Sequence, residues 1–308
     1  MSRLLHSGHE AYRRYMQIST NDVFVFVEGK TSDRFVYSSI ITPVCAARRF
    51  KVQTVLAEEL GSGTGAKPTL VRFFRYLAQS GSLLDEFKGK RTLAAFFLDK
   101  DVDDVLGVMV DSNHVVYTLH YDIENDIYRN GDLAKAAAAA ASFDQATVSA
   151  GLGDPEVWRR TRAELWREWV KLCLITRVLD TNCECNFGVQ SRINTSAAGA
   201  VDPGLIDRYR KAIQAAAGVQ DAVFARVEKR VSRIVDWLYA RGAYDRVFKG
   251  KWYSCFLSRD VERIAAGRPY DARGLEPRLL TAVAATLDFR GAWADYFRGR
   301  MEELLGAM

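Results

Sequence analysis

Leu93-Ala94-Ala95-Phe96-Phe97-Leu98-Asp99-Lys100-Asp101-Val102-Asp103-Asp104 decides the fold. Six apolar residues read as a buried strand, and four acids follow within the next six positions. Val23-Phe24-Val25-Phe26-Val27-Glu28-Gly29-Lys30-Thr31-Ser32-Asp33 has the same form: an apolar run ending abruptly in carboxylates. Open α/β sheets place their chemistry at the carboxyl ends of strands. Carboxylates gathered there repel one another unless a cation lies between them, and hard cations prefer oxygen ligands. The pattern predicts a Mg2+-dependent enzyme, with Mn2+ as the alternative ion, acting on phosphodiesters.

Working outward, Glu10 to Gln17 has helical character and Val23 to Val27 is the first strand. Ser32 to Ile41 is helical, with Pro43 expected to end it. Phe50 to Leu56 alternates with period two and reads as a second strand. The glycine-rich stretch Gly61 to Pro68 follows, then a helix from Thr69 to Gln79, a strand over Leu93 to Leu98 and another over Val115 to Leu119. Strands alternating with helices predict a mostly parallel, doubly wound sheet, with the edge of this domain near residue 150.

The remainder, 151–308, reads as helical. Pro155 to Leu179 carries Trp158, Trp166 and Trp169 at the spacing of a packed helix face, with Asp154 as N-cap and Pro155 in the first turn. Asp180 to Pro203 is polar and reads as a long loop with little to bury. Helices are expected over Leu205 to Ala217, Asp221 to Ala240, Pro277 to Leu287 and Trp293 to Leu305. The fold class is therefore α/β, with an α-helical C-terminal domain.

The 308 residues are 48% hydrophobic and 26% charged, the balance of a globular protein. No apolar stretch approaches the ~18 residues a membrane helix needs, and the N-terminus lacks an apolar signal core. Five cysteines at irregular spacing read as reduced thiols, so a cytoplasmic location is expected. Residues 1–150 hold 17 Lys+Arg against 18 Asp+Glu, and residues 151–308 hold 26 against 20. The acidic clusters lie in the near-neutral first half, and the cationic excess of the second suits a polyanionic partner such as nucleic acid.

Three acidic segments in order, Glu28-Gly29, Asp99-Lys100-Asp101 and Tyr121-Asp122-Ile123-Glu124-Asn125, resemble the marks of the TOPRIM domain of primases, topoisomerases and OLD-type nucleases. The resemblance covers roughly residues 20–130 and extends to nuclease partners of ABC-type ATPases in phage-defence systems such as PARIS. It implies a Rossmann-like fold and a Mg2+-dependent nuclease. Glu28, Asp99 and Asp101 would be catalytic metal ligands, Glu124 and Asp103 further ligands, and Lys251 (or Lys249) a lysine steadying developing negative charge. The resemblance also implies an ABC-type or AAA ATPase partner; Gly61 to Pro68 lacks the Gly-Lys-Ser/Thr end of a phosphate loop, so any ATPase activity the system needs would come from that partner. Self-association as a homodimer through the helices of Leu205 to Ala240 is an alternative contact. The competing functional readings are a non-catalytic interaction subunit and primase- or topoisomerase-type chemistry. Cys183-Glu184-Cys185 lacks the two further ligands of a zinc site. His120, beside Tyr121 and Asp122, is a further candidate neighbour of the metal.

Overall fold

The computed structural model describes residues 8–29, 32–61, 66–196 and 198–308. The chain is α/β: a five-stranded, mostly parallel sheet flanked by helices, with a helical C-terminal region. It divides into two compact units, each discontinuous in sequence.

The first unit comprises Met1–Lys100, Met109–Thr118 and Leu287–Met308. Its sheet contains β1 (Val23–Val27), β2 (Val52–Leu56), β3 (Leu84–Phe87), β4 (Lys90–Leu98) and β5 (Val115–Tyr117). β1 lies between β2 and β4, parallel to both. The nine-residue β4 is long enough to take two partners along its other edge. β3 pairs antiparallel with its first half, and β5 pairs parallel with its last three residues. Each residue of β1 is buried, as expected of a strand covered on both faces. Phe24, Phe26 and Phe96 turn to one face, where α1 (His9–Ile18) and α3 (Ala66–Gln79) contribute Tyr12, Met16 and Phe73. The rings of Phe26 and Phe96 stack at 4.8 Å. Phe97 turns to the opposite face and meets Tyr37 of α2 (Asp33–Ala47) and Phe297 of the C-terminal helix Asp295–Leu305.

Two local expectations are corrected. Pro43 does not end α2, which continues to Ala47. Proline forfeits a bond only to the Ser39 carbonyl, and its ring lies on the exposed side of the helix, where it displaces no packing. β3 escaped notice because Leu-Asp-Glu-Phe is short and half charged. Its signal is the two-residue turn Lys88-Gly89, both at positive φ (52° and 77°), the geometry of a tight hairpin.

The second unit comprises Asp101–Val108 and Leu119–Thr286. Residues 119–150 therefore group with the helical residues that follow them. Its helices are α4 (Asp103–Leu106), α5 (Ile123–Asn130), α6 (Leu133–Ala141), α7 (Gln145–Leu152), α8 (Pro155–Leu165), α9 (Arg167–Val178), α10 (Pro203–Ala217), α11 (Asp221–Ala240), α12 (Trp252–Ala265) and α13 (Leu275–Ala284). Aspartates start many of them. Asp122, Asp132, Asp144, Asp154 and Asp202 each accept a backbone N–H of the first turn, satisfying donors that a helix start leaves open. The expected continuous helix from Pro155 is broken at Trp166, whose backbone leaves helical geometry while its buried ring packs on Trp252 and Phe256. Trp158 and Trp169 are buried as well, Trp158 donating to Asp260 at 2.8 Å.

The stretch 180–202 contains no helix or strand among its described residues, apart from one bridge between Asn194 and Val201. It is nonetheless tied down. Cys185 and Ile193 are buried, the Asn194 amide donates to the carbonyls of Leu165 and Gly199, and Lys249 donates to the Phe187 carbonyl. The expectation that it has little to bury is thus corrected: short apolar side chains between polar residues anchor it.

Candidate functional site

The expected site residues divide between the two units: Glu28 and Asp99 belong to the first; Asp101, Asp103, Glu124 and Lys251 belong to the second.

In the first unit, Val27 pairs with Phe97 across the parallel strands. Glu28 and Asp99 therefore leave the sheet at the same carboxyl edge, on adjacent strands. The Asp99 backbone N–H donates to Glu28 Oε1 at 2.9 Å. Gly29 N–H donates to Asp33 Oδ2 at 2.7 Å, so the carboxylate of Asp33, buried in the first turn of α2, folds back onto the Glu-Gly pair. The backbone of Gly29 is not left-handed. Its glycine is required for space instead: a Cβ there would lie 2.2 Å from Asp33 Oδ1. That steric reason depends on Asp33 folding back onto the pair, which the Glu-Gly pair alone does not disclose.

Lys67 also belongs to this edge. Its Nζ donates to the Asp99 carbonyl at 2.5 Å and lies 5.7 Å from the centre of the Tyr117 ring. The sequence placed Lys67 in the glycine-rich stretch; the structure places it in the first turn of α3. Residues 62–65 of that stretch, Lys30 and Thr31 of the Glu28 motif, and His6 lie outside the described residues.

In the second unit the acids after Leu98 do not alternate along an extended chain. Asp101 adopts a left-handed conformation (φ 51°) and its N–H donates to the Tyr121 carbonyl at 2.6 Å. Asp103 is buried at the start of α4, and Asp104 pairs with Arg246 at 2.5 Å. This turn follows the strand end at Leu98 and leads into the short helix α4. A cavity of about 290 Å³ is lined by Asp101, Tyr121, Cys173, Arg177 and Phe187, among others.

The Tyr121 to Asn125 segment has a structural task that the sequence did not disclose. Asp122 Oδ1 accepts the N–H of Asn125 at 3.1 Å and that of Gly250 at 3.0 Å. The Asn125 amide donates to Asp245 Oδ1 and to the Phe248 carbonyl, both at 3.1 Å. Tyr121 N–H donates to the Asp245 carbonyl. The start of α5 is thereby clamped to the turn before α12, and a Cβ on Gly250 would lie 2.3 Å from the Asn125 nitrogen. This clamp carries Lys251 to the buried Glu124, with Nζ 3.5 Å from Oε1. His120 Nε2 lies 3.5 Å from Asp126 Oδ1. Burial, reinforced by the neighbouring Glu124, holds the Asp122 carboxyl well above the ordinary carboxylate range. Burial also raises Asp245, against the hydrogen bond from Tyr253 and the charge of Arg129.

Glu28 and Asp99 supply the oxygen donors that a hard divalent ion requires. Among the described residues, however, no three or more His, Cys, Asp or Glu are gathered so as to hold a metal ion. No described helix is long and apolar enough to cross a membrane. In comparisons with known proteins, no family model matches the chain and no curated protein matches it.

Proposed function

We propose that the chain is a Mg2+- or Mn2+-dependent nuclease with a TOPRIM-like catalytic domain, the effector subunit of an anti-phage system under the control of an ABC-type or AAA ATPase. The observation that carries this reading is the placement of Glu28 and Asp99 on neighbouring parallel strand ends, joined by the 2.9 Å bond from Asp99 N–H. That bond orients the Glu28 carboxylate at the strand end. Glu28 and Asp99 would hold the ion, which when bound supplies charge stabilisation at a scissile phosphate and a water of lowered pKa. Lys67 adds positive charge at the same edge.

The test is cleavage of labelled single- and double-stranded DNA and RNA by the purified chain, with Mg2+, Mn2+ or EDTA, alone and, if an ATPase is encoded beside it, together with that ATPase. Glu28→Gln and Asp99→Asn should each abolish metal-dependent cleavage while leaving the circular dichroism spectrum unchanged. Cleavage at the parent rate by both variants would refute the assignment.

The second reading, a non-catalytic interaction subunit, is favoured by one specific observation. The Lys67 ammonium at the Asp99 carbonyl supplies positive charge to this edge without a metal. It calls for a melting temperature unaffected by Mg2+, whereas the nuclease reading calls for a rise on adding the ion, since a ligand that binds only the folded state stabilises it.

A further inference from the structure

The charges of α11 are sorted by face. Its three acids all turn to protein partners: Asp221 accepts from Gln214, Glu228 pairs with Arg210, and Asp236 pairs with Arg167 and Lys171. Its cations Arg226, Lys229, Arg230 and Arg233 are all exposed, and among the described residues none of the four forms an ion pair. Arg226, Arg230 and Arg233 stand at i, i+4 and i+7, one stripe of a helix, and Trp237 continues it four residues on. A solvated helix face normally intersperses both signs along i,i+4 pairs. Here about 10 Å of helix, from Arg226 to Arg233, presents positive charge alone.

The stripe borders two adjoining hollows. One, of about 400 Å³, is lined by Arg226, Lys229, Arg230, Arg233 and Ile234. The other, of about 320 Å³, has Val105, Ile234 and Leu238 as an apolar floor, with Trp237, Arg233 and Arg246 around it. Neither has an acidic lining residue. Trp237 is half exposed, and the Arg241 guanidinium lies 4.4 Å from the centre of its ring. That leaves a stiffened aromatic plate beside an apolar hollow, at the end of a cationic track.

We infer that this face of α11 binds a single-stranded segment of nucleic acid. The four cations would follow successive phosphates, and an unpaired base would stack on Trp237 over the apolar hollow. Cationic grooves that follow the backbone, with aromatic plates for the bases, are the general means of holding single strands. A duplex offers its phosphates but keeps its base faces stacked, so it would use the cations and not Trp237. An acidic protein segment would likewise leave the tryptophan without a partner of its own kind. The role of this face as a substrate track rests on the nuclease reading, whereas binding is measured without cleavage.

The experiment measures fluorescence anisotropy of labelled oligo-dT, oligo-rU and a duplex of equal length with the full chain in EDTA, across a salt series. Both single strands should bind more tightly than the duplex, and the two separate DNA from RNA as the preferred source. Replacing Arg226, Lys229, Arg230 and Arg233 together by Gln should lower the slope of log affinity against log salt by about 3, at ~0.7 per phosphate contact on a single strand. Trp237→Ala should weaken single-strand binding about tenfold or more with little change in slope, and Trp237→Phe should retain most of it. Thermal melts of each variant control for folding, which these exposed positions should not disturb.

Equal affinity and slope in the fourfold variant would overturn the inference. So would equal binding of duplex and single strand, or a change of oligomeric state in the variant, which would make this face a contact between copies. Binding retained without cleavage by the parent chain would count against the nuclease reading alone. Cleavage retained without an effect of these substitutions would count against this surface alone.

Discussion

Gly29→Ala tests the stereochemistry of the acidic edge most sharply. The added Cβ would lie 2.2 Å from Asp33 Oδ1, 2.6 Å from Cγ and 2.9 Å from Oδ2, all well inside van der Waals contact. The obstacle is a short side chain fixed in the first turn of α2, so relief requires Asp33 to rotate away. Rotation breaks the 2.7 Å bond from Gly29 N–H. A hydrogen bond to a charged group contributes about 1.5–3 kcal/mol, and forcing an extra carbon into a filled site costs about 1–3 kcal/mol. Because rotation relieves the clash at the expense of the bond, the two do not add fully, and about 2–4 kcal/mol is expected. Asp33→Ala alone should cost about 1–3 kcal/mol, for the lost bond. In that background Gly29→Ala meets no carboxylate and should cost close to nothing, so the double-mutant cycle should show a coupling of about 2–4 kcal/mol, the whole cost of the single substitution. The assay is chemical denaturation in EDTA, followed by circular dichroism for the parent, both single variants and the double variant. Additivity within about 0.5 kcal/mol, the range found for independent sites, would refute the reasoning.

Further outcomes follow from the same geometry. Gly250→Ala should destabilise the protein by about 2–5 kcal/mol, because its Cβ would meet the Asn125 nitrogen and Asp122 Oδ1 while the Asp122 bond is lost. Gly299→Ala, in the C-terminal helix with nothing within 4 Å of the new carbon, should instead be neutral or stabilising by up to about 1 kcal/mol; thermal melts compare the two. Hydrogen bonds from Arg13, then Tyr76 and Arg14, hold the Glu10 carboxyl at about 2, below its ordinary 4.5. A lowered carboxylate contributes stability above the unfolded-state value and loses it as pH falls through the folded one. Stability should therefore decline from about pH 4.5 towards 2, and Glu10→Gln should flatten that limb in melts at graded pH. Deleting 183–200 should lower the melting temperature markedly, because it removes buried Cys185 and Ile193 and the anchors at Asn194; an unchanged melt would restore the view of a loop with nothing to bury.

The strands at the heart of the sheet were legible because β1 and the end of β4 are buried on both faces, and continuous apolar runs have few other uses. Asp154 and Pro155 were legible for a local reason, since a helix start needs an acceptor for its open donors. What escaped was decided by partners distant in sequence or by backbone signs that side chains do not announce. The hairpin at Lys88-Gly89 depends on two positive φ angles, one of them at a lysine. Lys67 read as the tail of the glycine-rich stretch because its partner, the Asp99 carbonyl, is 32 residues away. The break at Trp166 is set by the packing of its ring on α12, which the helical periodicity of Pro155 to Leu179 hides.

The Tyr121 to Asn125 segment joins these two kinds of legibility. Glu124 drew notice as a potential ligand, yet its neighbours Asp122 and Asn125 build a clamp: Asp122 Oδ1 caps α5 and accepts Gly250, and the Asn125 amide grips Asp245 and Phe248. Glu124, between them in sequence, is the member of the segment that Lys251 approaches. A lysine next to a buried carboxylate lowers the cost of burying that charge, and the clamp is what brings the two together. Lys251 is thus placed by backbone and amide contacts of residues 122, 125 and 250, so its position should be sensitive to Asn125→Leu even though Asn125 does not touch it. In this unit the residues that resemble a motif divide the work: Asp122 and Asn125 build the turn, and Glu124 and Lys251 are the charged pair that the turn presents.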